Sequence, residues 1–154
     1  MYKFTRATTK EEYEAASHLF REYAQWLNID LCFQNFDAEL GQPDTMYAPP
    51  TGGIILCKEG EEYIGCVGIR KIDSDTAEMK RMWVRIPYQG RKIGTELLLA
   101  ATELARECGY RTIRLDTLNT MTPAINLYRK NGFVEIPSYY HNPDPRAAYF
   151  EKLL

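Results

Sequence analysis

A loop rich in positive charge and glycine stands between a predicted strand and a predicted helix, at residues 89–94. It reads Gln-Gly-Arg-Lys-Ile-Gly, and its two glycines let the backbone turn sharply and approach a ligand closely. The following helix points its unpaired N–H groups and the positive end of its dipole at this loop, an arrangement suited to phosphate or pyrophosphate. An anionic ligand is also favoured because residues 80–92 contain no acid and five cations, namely Lys80, Arg81, Arg85, Arg91 and Lys92.

The same loop has a plainer interpretation, a solvated basic turn, because glycine-containing loops often precede helices. Its sequence is neither the G-x-x-x-x-G-K-[ST] pattern of a P-loop nor the G-x-G-x-x-G pattern of a dinucleotide site. Those two kinds of phosphate-binding site are therefore disfavoured. Nucleotide binding by the helix terminus alone stays open as an alternative.

The composition limits the classes of protein to consider. With 154 residues, 45% of them apolar and 26% charged, the chain (1–154) is expected to form one globular domain. A net charge of −2 and a pI near 5.8 argue against nucleic acid as a partner. The four scattered cysteines and two histidines predict neither a metal site nor a disulfide framework. Because no apolar signal core or membrane-spanning run is present, we expect a cytoplasmic protein without a membrane partner.

Hydrophobic periodicity predicts the secondary structure. Short segments bounded by turn-forming residues predict strands at residues 2–7, 53–58, 63–70, 76–84, 111–116, 133–136 and 147–153, and side chains alternate along the first of them. Apolar residues at helical spacing predict helices after Thr9, from Ile93 to Gly109, and from an N-cap at Thr122 to Asn131. We therefore expect an α/β fold, a mixed sheet of about seven strands with helices on both faces. A helix joins strands 76–84 and 111–116, so these two should be parallel.

Two local features add to this outline. Thr9 followed by Glu12 is the pattern of a capping box. Gly65 and Gly68 inside one strand indicate a bulge or a closely approaching neighbour. Residues 28–52 lose periodicity apart from a short helical turn at 36–40, and this segment is either a functional loop or a lid over the core.

Three stretches, standing in order, resemble the GNAT superfamily of acetyl-CoA-dependent N-acetyltransferases. Residues 89–94 are similar to the family's [QR]-x-x-G-x-[GA] pyrophosphate loop, and E-M-K-R-M-W-V at 78–84 is similar to the strand before it. The third stretch, A-x-x-L-Y-x-x-x-G-F, stands at Ala124 to Phe133. With the order of elements, the resemblance covers nearly the whole chain from Thr5, least clearly residues 28–52.

The resemblance implies where acetyl-CoA binds. Backbone groups of Met82 and Val84 would pair with the pantetheine where two parallel strands splay, and the Met82 amide would polarise the thioester carbonyl. The N–H groups of residues 91–95 would hold the pyrophosphate. The implied cofactor-binding residues are Met82, Trp83, Val84, Gln89, Gly90, Arg91, Lys92, Ile93, Gly94, Thr95 and Asn119.

Two positions depart from the family pattern. Lys92 stands where the loop usually has its middle glycine, and a lysine there can donate its N–H provided that it need not adopt a positive φ. Met121 stands where many relatives have an asparagine before the A-x-x-L-Y helix. Asn119 is a candidate substitute for that asparagine.

The resemblance also implies two catalytic residues. Glu78 matches a general base in several relatives, and a base is needed because an amine with a pKa near ~10.4 is mostly protonated. The alternative for Glu78 is a structural ion pair with Lys80 or Arg70. Tyr128 matches a tyrosine that protonates the departing thiolate, because a phenol (pKa ~10) and a thiol (~8.5) titrate close together. The alternative for Tyr128 is an ordinary core tyrosine.

The acceptor pocket is expected between the long loop and the C-terminal loop. Its candidate residues are Phe33, Gln34, Phe36, Tyr139 and Tyr140, beside His141 and Asn142. Aromatic walls would suit an apolar or amphipathic amine, although these residues could equally be ordinary packing. The Y-Y-H-N-P run at 139–143 resembles a feature of one uncharacterised bacterial branch of the family.

The function that the resemblance implies is acetyl transfer from acetyl-CoA to an amine of a small molecule or peptide. Direct attack in a ternary complex is favoured because no cysteine holds an evident nucleophile position, although Cys66 stays open. The main alternative is a non-catalytic acyl-CoA sensor or regulatory module. Nucleotide binding would show as ATP binding that acetyl-CoA does not displace. A homodimer across the C-terminal strand is a further open expectation.

Overall fold

A seven-stranded mixed sheet organises the part of the chain that the computed structural model describes, residues 1–28 and 36–154. The strands lie in the order β1-β2-β3-β4-β5-β7-β6. Their bounds are β1 Tyr2–Arg6, β2 Gly53–Glu59, β3 Glu62–Lys71, β4 Thr76–Val84, β5 Thr112–Leu118, β6 Val134–Ile136 and β7 Ala147–Leu153. The helices are α1 Lys10–Leu27, α2 Phe36–Gly41, α3 Pro43–Met46, α4 Ile93–Glu107 and α5 Thr122–Lys130. The predicted α/β class and mixed sheet are confirmed.

Helices cover both faces of the sheet, as expected, and each face has its own core. Ile55 and Cys57 on β2 pack with α4, whereas Ile54 and Leu56 pack with α1. This alternation follows from the period of two along a strand. Helix α1 begins with the predicted capping box, in which the Thr9 side chain accepts from the Glu12 N–H and the Glu12 carboxylate accepts from the Thr9 N–H.

The parallel pair β4–β5 separates along its length. Its register joins Thr76 with Thr112, Ala77 with Ile113, and Glu78 with Arg114. The pairing stops there, although both strands are fully described and continue to Val84 and Leu118. Strand β5 pairs instead with β7 along its whole length. The β4 edge beyond Glu78 is thereby released from the sheet on the β5 side.

A bulge interrupts β4 where the strands separate. The β3–β4 register shifts between Cys66 and Gly68, and Arg81 takes a positive φ of 58°. A bulge of this kind bends the strand and redirects its side chains. Gly68 also has a close neighbour, since an added Cβ would lie 2.8 Å from the Tyr47 ring. The predicted close neighbour is therefore confirmed at Gly68, and a register shift between β2 and β3 lies beside Gly65.

Two sequence predictions need correction. Helix α5 begins at Thr122, with Met121 at the N-cap and no side-chain cap hydrogen bond, so Thr122 is not the cap. The C-terminal strand β7 lies between β5 and β6, so it is not the exposed edge strand on which the expected dimer depended, and a homodimer stays a prediction. No helix in the described ranges is long and apolar enough to cross a membrane.

Candidate active site

A cleft opens where β4 and β5 separate. Helix α1 lines it from one face of the sheet and helix α5 from the other, while Asn142 reaches it from the β6–β7 loop, residues 137–146. The lining residues are Tyr23, Leu27, Met79, Lys80, Arg81, Met82, Leu115, Asp116, Thr117, Leu118, Met121, Tyr128 and Asn142. The cleft therefore passes through the sheet and joins its two faces.

The loop before α4 has the geometry of an anion site. The first hydrogen bond of this helix runs from the Glu96 N–H to the Lys92 carbonyl at 3.2 Å, so the preceding N–H groups lie in the unpaired first turn. Gly90 adopts a φ of 82°, which favours glycine, and nothing lies within 4 Å of the position of an added Cβ. Gln89 closes the turn by donating from Nε2 to the Val84 carbonyl at 2.8 Å.

Lys92 adopts a positive φ, which the sequence-based argument required it to avoid. It adopts the left-handed conformation, with φ 65° and ψ 13°, at the N-cap of α4. That conformation costs a residue with a Cβ about 1–2 kcal/mol. The loop thus keeps the backbone geometry that a glycine would adopt, and it stores local strain at Lys92. Whether Lys92 and its neighbours from Gly90 to Thr95 hold the pyrophosphate stays a prediction.

The three predicted pantetheine residues of β4 face different ways. Met82 lines the cleft and is half-buried. The Trp83 side chain lies on the α1 side, where its Nε1 donates to Glu22 Oε1 at 3.0 Å and its ring lies 5.1 Å from that of Trp26. Any contact of Trp83 with a ligand in the cleft is therefore confined to its main chain. The Val84 carbonyl already accepts from Gln89.

Met121, rather than Asn119, reaches the cleft. Asn119 is exposed and donates its backbone N–H to the Arg146 carbonyl at 2.7 Å. Met121 is half-buried and lines the cleft. A thioether at this position contributes apolar contact instead of the amide that many relatives place there.

Glu78 is buried and held by two partners. It lies opposite Arg70 on β3, whose Nε donates to Oε1 at 2.9 Å, so the ion-pair alternative correctly named Arg70. Tyr139 donates its hydroxyl to Oε2 at 2.6 Å. The Glu78 side chain is 4% exposed and is not among the described cleft-lining residues. Tyr139 is not among the described cleft-lining residues either, so a group between the cleft and Glu78 is needed for a proton to reach this carboxylate.

Tyr128 lines the cleft and also packs in the α4-side core. Its ring lies 5.9 Å from that of Phe133 and 6.2 Å from that of Phe150, so the core packing is present, whereas the catalytic role stays a prediction. Burial raises the pKa of the phenol well above its usual value. A raised pKa keeps Tyr128 protonated and able to donate, but it removes the close match to a thiol that the sequence argument used.

A polar cluster that the sequence argument missed occupies the β5 side of the cleft. Asp116 accepts from the Tyr140 hydroxyl at 2.7 Å, and Lys80 Nζ lies 3.5 Å from Oδ1. Burial lowers the pKa of Lys80, partly opposed by the Asp116 carboxylate. Asn142 donates to the Tyr140 hydroxyl at 3.3 Å. The sequence did contain a signal for Asp116, because it is a polar residue near the carboxyl end of a parallel strand, where ligands of α/β sheets bind.

The predicted acceptor residues are only partly assembled. Tyr139 and Tyr140 lie together, with ring centroids 5.4 Å apart, and donate to Glu78 and Asp116 respectively. Phe36 is buried, and its ring lies under the Arg81 guanidinium at 5.1 Å, outside the cleft lining. Phe33 and Gln34 lie outside the described residues.

Arg81 forms the most buried ion pair of this region with Glu39 of α2. Its Nε donates to Oε2 at 2.8 Å and its Nη2 to Oε1 at 3.1 Å. The two side chains are 4% and 0% exposed. The pair ties α2 to the bulge of β4 and so fixes the wall of the cleft on the α1 side.

Cys66 lacks the surroundings of a nucleophile. It is fully buried, its Sγ donates to the Arg81 carbonyl at 3.3 Å, and burial raises its pKa. A reactive cysteine needs the opposite shift, toward the thiolate. Within residues 1–28 and 36–154, no three His, Cys, Asp or Glu side chains come together as a metal site requires.

The comparison with known proteins decides the family. The model of the acetyltransferase (GNAT) family matches residues 9–133. The chain belongs to the GNAT acetyltransferase family. It is also 38% identical over 133 residues to an uncharacterised N-acetyltransferase of Schizosaccharomyces pombe, a match that covers 85% of this chain and 82% of the relative.

Solved structures of other acetyltransferases share this fold. An acetyltransferase of Streptococcus agalactiae superposes with a TM-score of 0.82 at 22% identity, covering 99% of this chain and 98% of that one. The PaiA N-acetyltransferase of Thermoplasma acidophilum, solved in complex with coenzyme A, superposes with a TM-score of 0.72 at 18% identity, covering 100% and 99%. At these identities the likeness shows the fold, and the family match shows that the chain is an acetyltransferase.

Proposed function

We propose that this GNAT protein transfers the acetyl group of acetyl-CoA to an amine of a small molecule or peptide. The observation that carries the proposal is the separation of β4 from β5 after Glu78, directly before the N-terminus of α4. The first feature leaves main-chain groups of β4 available to amides of a ligand. The second supplies N–H groups and a dipole for a pyrophosphate.

The fit to acetyl-CoA rests on these main-chain groups. Met82, which lines the cleft, would offer its N–H to the thioester carbonyl, and residues 91–95 would bind the pyrophosphate. A Cβ added at Gly94 would lie 3.8 Å from Cδ2 of Leu127, so the terminus of α4 lies beside α5, the helix that carries Tyr128. When bound, acetyl-CoA supplies the activated acetyl group, and all other steps fall to residues of this chain.

Direct attack by the amine is favoured over an acetyl-cysteine intermediate, because burial of Cys66 disfavours its thiolate. We propose that Glu78 takes the proton of the amine, through Tyr139 or a water that its burial makes necessary. We propose that Tyr128 donates to the departing thiolate, which its raised pKa permits because the phenol stays protonated at neutral pH.

A thermal-shift titration with acetyl-CoA, CoA and ATP, followed by an amine panel read out as thiol release, tests the proposal. A ligand at a hundred times its Kd should add about 2.7 kcal/mol to the free energy of unfolding, a shift of a few degrees at this size. Stabilisation by both CoA forms with thiol release on an amine is the expected result. Stabilisation without turnover on any amine would favour the sensor alternative, and stabilisation by ATP alone would favour nucleotide binding.

A further inference from the structure

Asp116 lies in the cleft, and the proposed acetyl transfer leaves it without a role. It stands near the carboxyl end of β5, across the opening from Tyr23 and Leu27 of α1. Its side chain is 13% exposed, against 4% for Glu78, and it belongs to the cleft lining whereas Glu78 does not. Of these two carboxylates, Asp116 is the one that a molecule entering the cleft would meet.

The position of Asp116 is fixed by its neighbours. Tyr140 donates to Oδ2 at 2.7 Å, and Lys80 Nζ lies 3.5 Å from Oδ1. Asn142 in turn donates to the Tyr140 hydroxyl at 3.3 Å. A carboxylate has about four acceptor positions, so these contacts orient Asp116 and leave it able to accept from a ligand.

The charges of the cleft wall define what a ligand must carry. Three described lining residues are charged, namely Lys80, Arg81 and Asp116. The Arg81 charge is balanced by Glu39, which is fully buried behind it. One carboxylate is therefore presented to a ligand, and the positive charge of Lys80 beside it disfavours a second positive charge on that ligand. The other described lining residues are six with apolar side chains, Leu27, Met79, Met82, Leu115, Leu118 and Met121, and four with polar groups, Tyr23, Thr117, Tyr128 and Asn142. The six apolar side chains offer contact to a carbon skeleton.

We propose that Asp116 binds the ammonium group of the acceptor, and that the acceptor is a primary amine with one positive charge and an apolar carbon skeleton. The inference rests on the proposed function and names its substrate class. An amine of this kind arrives protonated at neutral pH, because its pKa is near ~10.4. Asp116 acts as a substrate-binding residue before the transfer, Lys80 and Tyr140 position it, and Glu78 keeps its separate role.

Isothermal titration of hexylamine into the CoA-saturated protein tests the assignment without needing turnover. Loss of a charge-assisted hydrogen bond weakens binding about tenfold to a hundredfold. We expect Asp116→Asn to raise the Kd for hexylamine by that factor and to leave the Kd for CoA unchanged. In turnover assays the KM for hexylamine should rise by the same factor, with kcat within about threefold of the wild type.

Two further variants make the result specific. Glu151→Gln is the matched control, because Glu151 of β7 is also a carboxylate held in an ion pair within the sheet, with Arg114 at 3.0 Å, but does not line the cleft. It should bind hexylamine like the wild type. Tyr140→Phe keeps the ring and removes the hydroxyl that holds Asp116, and it should weaken binding about threefold to tenfold. If Asp116→Asn does not fold, Tyr140→Phe decides the question.

The acceptor class is tested by 1,6-diaminohexane, which has the same chain length and a second charge. It should bind the wild type at least tenfold more weakly than hexylamine. Unchanged hexylamine binding in Asp116→Asn, equal weakening in Glu151→Gln, or tighter binding of the diamine would overturn the inference. Asp116-dependent binding without release of CoA from acetyl-CoA would support the subsite and reject acetyl transfer. Turnover that does not depend on Asp116 would support acetyl transfer and reject the proposed subsite.

Discussion

The cleft offers main-chain groups at the end next to α4 and side-chain groups at the end beneath the β6–β7 loop. At the first end, the available groups are the freed edge of β4 and the N–H groups that open α4. At the second end, two tyrosines of the loop donate to carboxylates of the sheet, Tyr139 to Glu78 and Tyr140 to Asp116. A substitution at the first end therefore leaves the main-chain groups in place, whereas a substitution at the second end removes a hydroxyl or a carboxylate.

This difference explains why the sequence identifies the family but does not identify the acceptor. Main-chain donors persist when a side chain changes, as Lys92 shows by adopting the φ of 65° that suits a glycine. The acceptor end depends on individual hydroxyls and carboxylates from separate elements. We therefore expect a change of one such residue to alter acceptor specificity and to leave the proposed acetyl-CoA groups at the first end in place.

The largest expected effect is on turnover, from Glu78→Gln. General base catalysis contributes about 10²–10⁴-fold, so kcat should fall by that factor while CoA affinity stays unchanged. Steady-state kinetics with calorimetric CoA binding measure both. The variant also leaves Arg70 without its carboxylate, so Arg70→Gln is the control that breaks the same pair and keeps the base. Equal loss of kcat in both variants would mean that the ion pair, and not the base, matters.

The second prediction concerns stability at the acceptor end. Glu39→Gln removes the carboxylate that pairs with buried Arg81, and an unpaired buried charge costs about 3–5 kcal/mol of unfolding free energy. Chemical denaturation measures this. Glu107→Gln breaks the ion pair between Glu107 and Arg6, in which both side chains are 49% exposed. This variant should lose less than about 1 kcal/mol of unfolding free energy. Similar losses in the two variants would contradict the importance of burial.

Both predictions use contacts that periodicity cannot supply. The strands, the helices and the Thr9 capping box follow from patterns within about four residues of each other, and the parallel β4–β5 pair follows from the helix that joins its strands. The pairs Arg81–Glu39, Lys80–Asp116 and Tyr139–Glu78 join residues that lie 42, 36 and 61 positions apart. Only the folded chain brings these residues together, and the bulge at Arg81 redirects side chains in a way that simple alternation along β4 does not anticipate.

The third prediction tests the main-chain end. Gly90→Ala places a Cβ at a φ of 82°, with open space around it, so the effect is confined to the backbone. We expect a loss of about 1–2 kcal/mol of unfolding free energy and weaker CoA binding, because the loop must change conformation to relieve the strain. Gly41→Ala is the control, since Gly41 has open space and no positive φ. Unchanged CoA binding in Gly90→Ala would separate this turn from the ligand.

The smallest effect is expected for Lys92→Gly. Glycine removes the left-handed strain of about 1–2 kcal/mol and adds about 0.5–1 kcal/mol of backbone entropy loss, so a net gain below about 1.5 kcal/mol should result. Denaturation in the absence of ligand measures the gain, and CoA affinity should be retained because the N–H is kept. A large loss of CoA affinity would mean that the lysine side chain, and not its N–H, holds the anion.

Amide hydrogen exchange with and without acetyl-CoA tests the central claim most directly, because it reads the main chain residue by residue. Binding through the freed strand and the helix terminus should slow exchange at residues 82–84 and 91–95 and leave α1 unchanged. Slowed exchange confined to α1 and the β6–β7 loop, with none at residues 91–95, would contradict the assignment of the main-chain end of the cleft to acetyl-CoA.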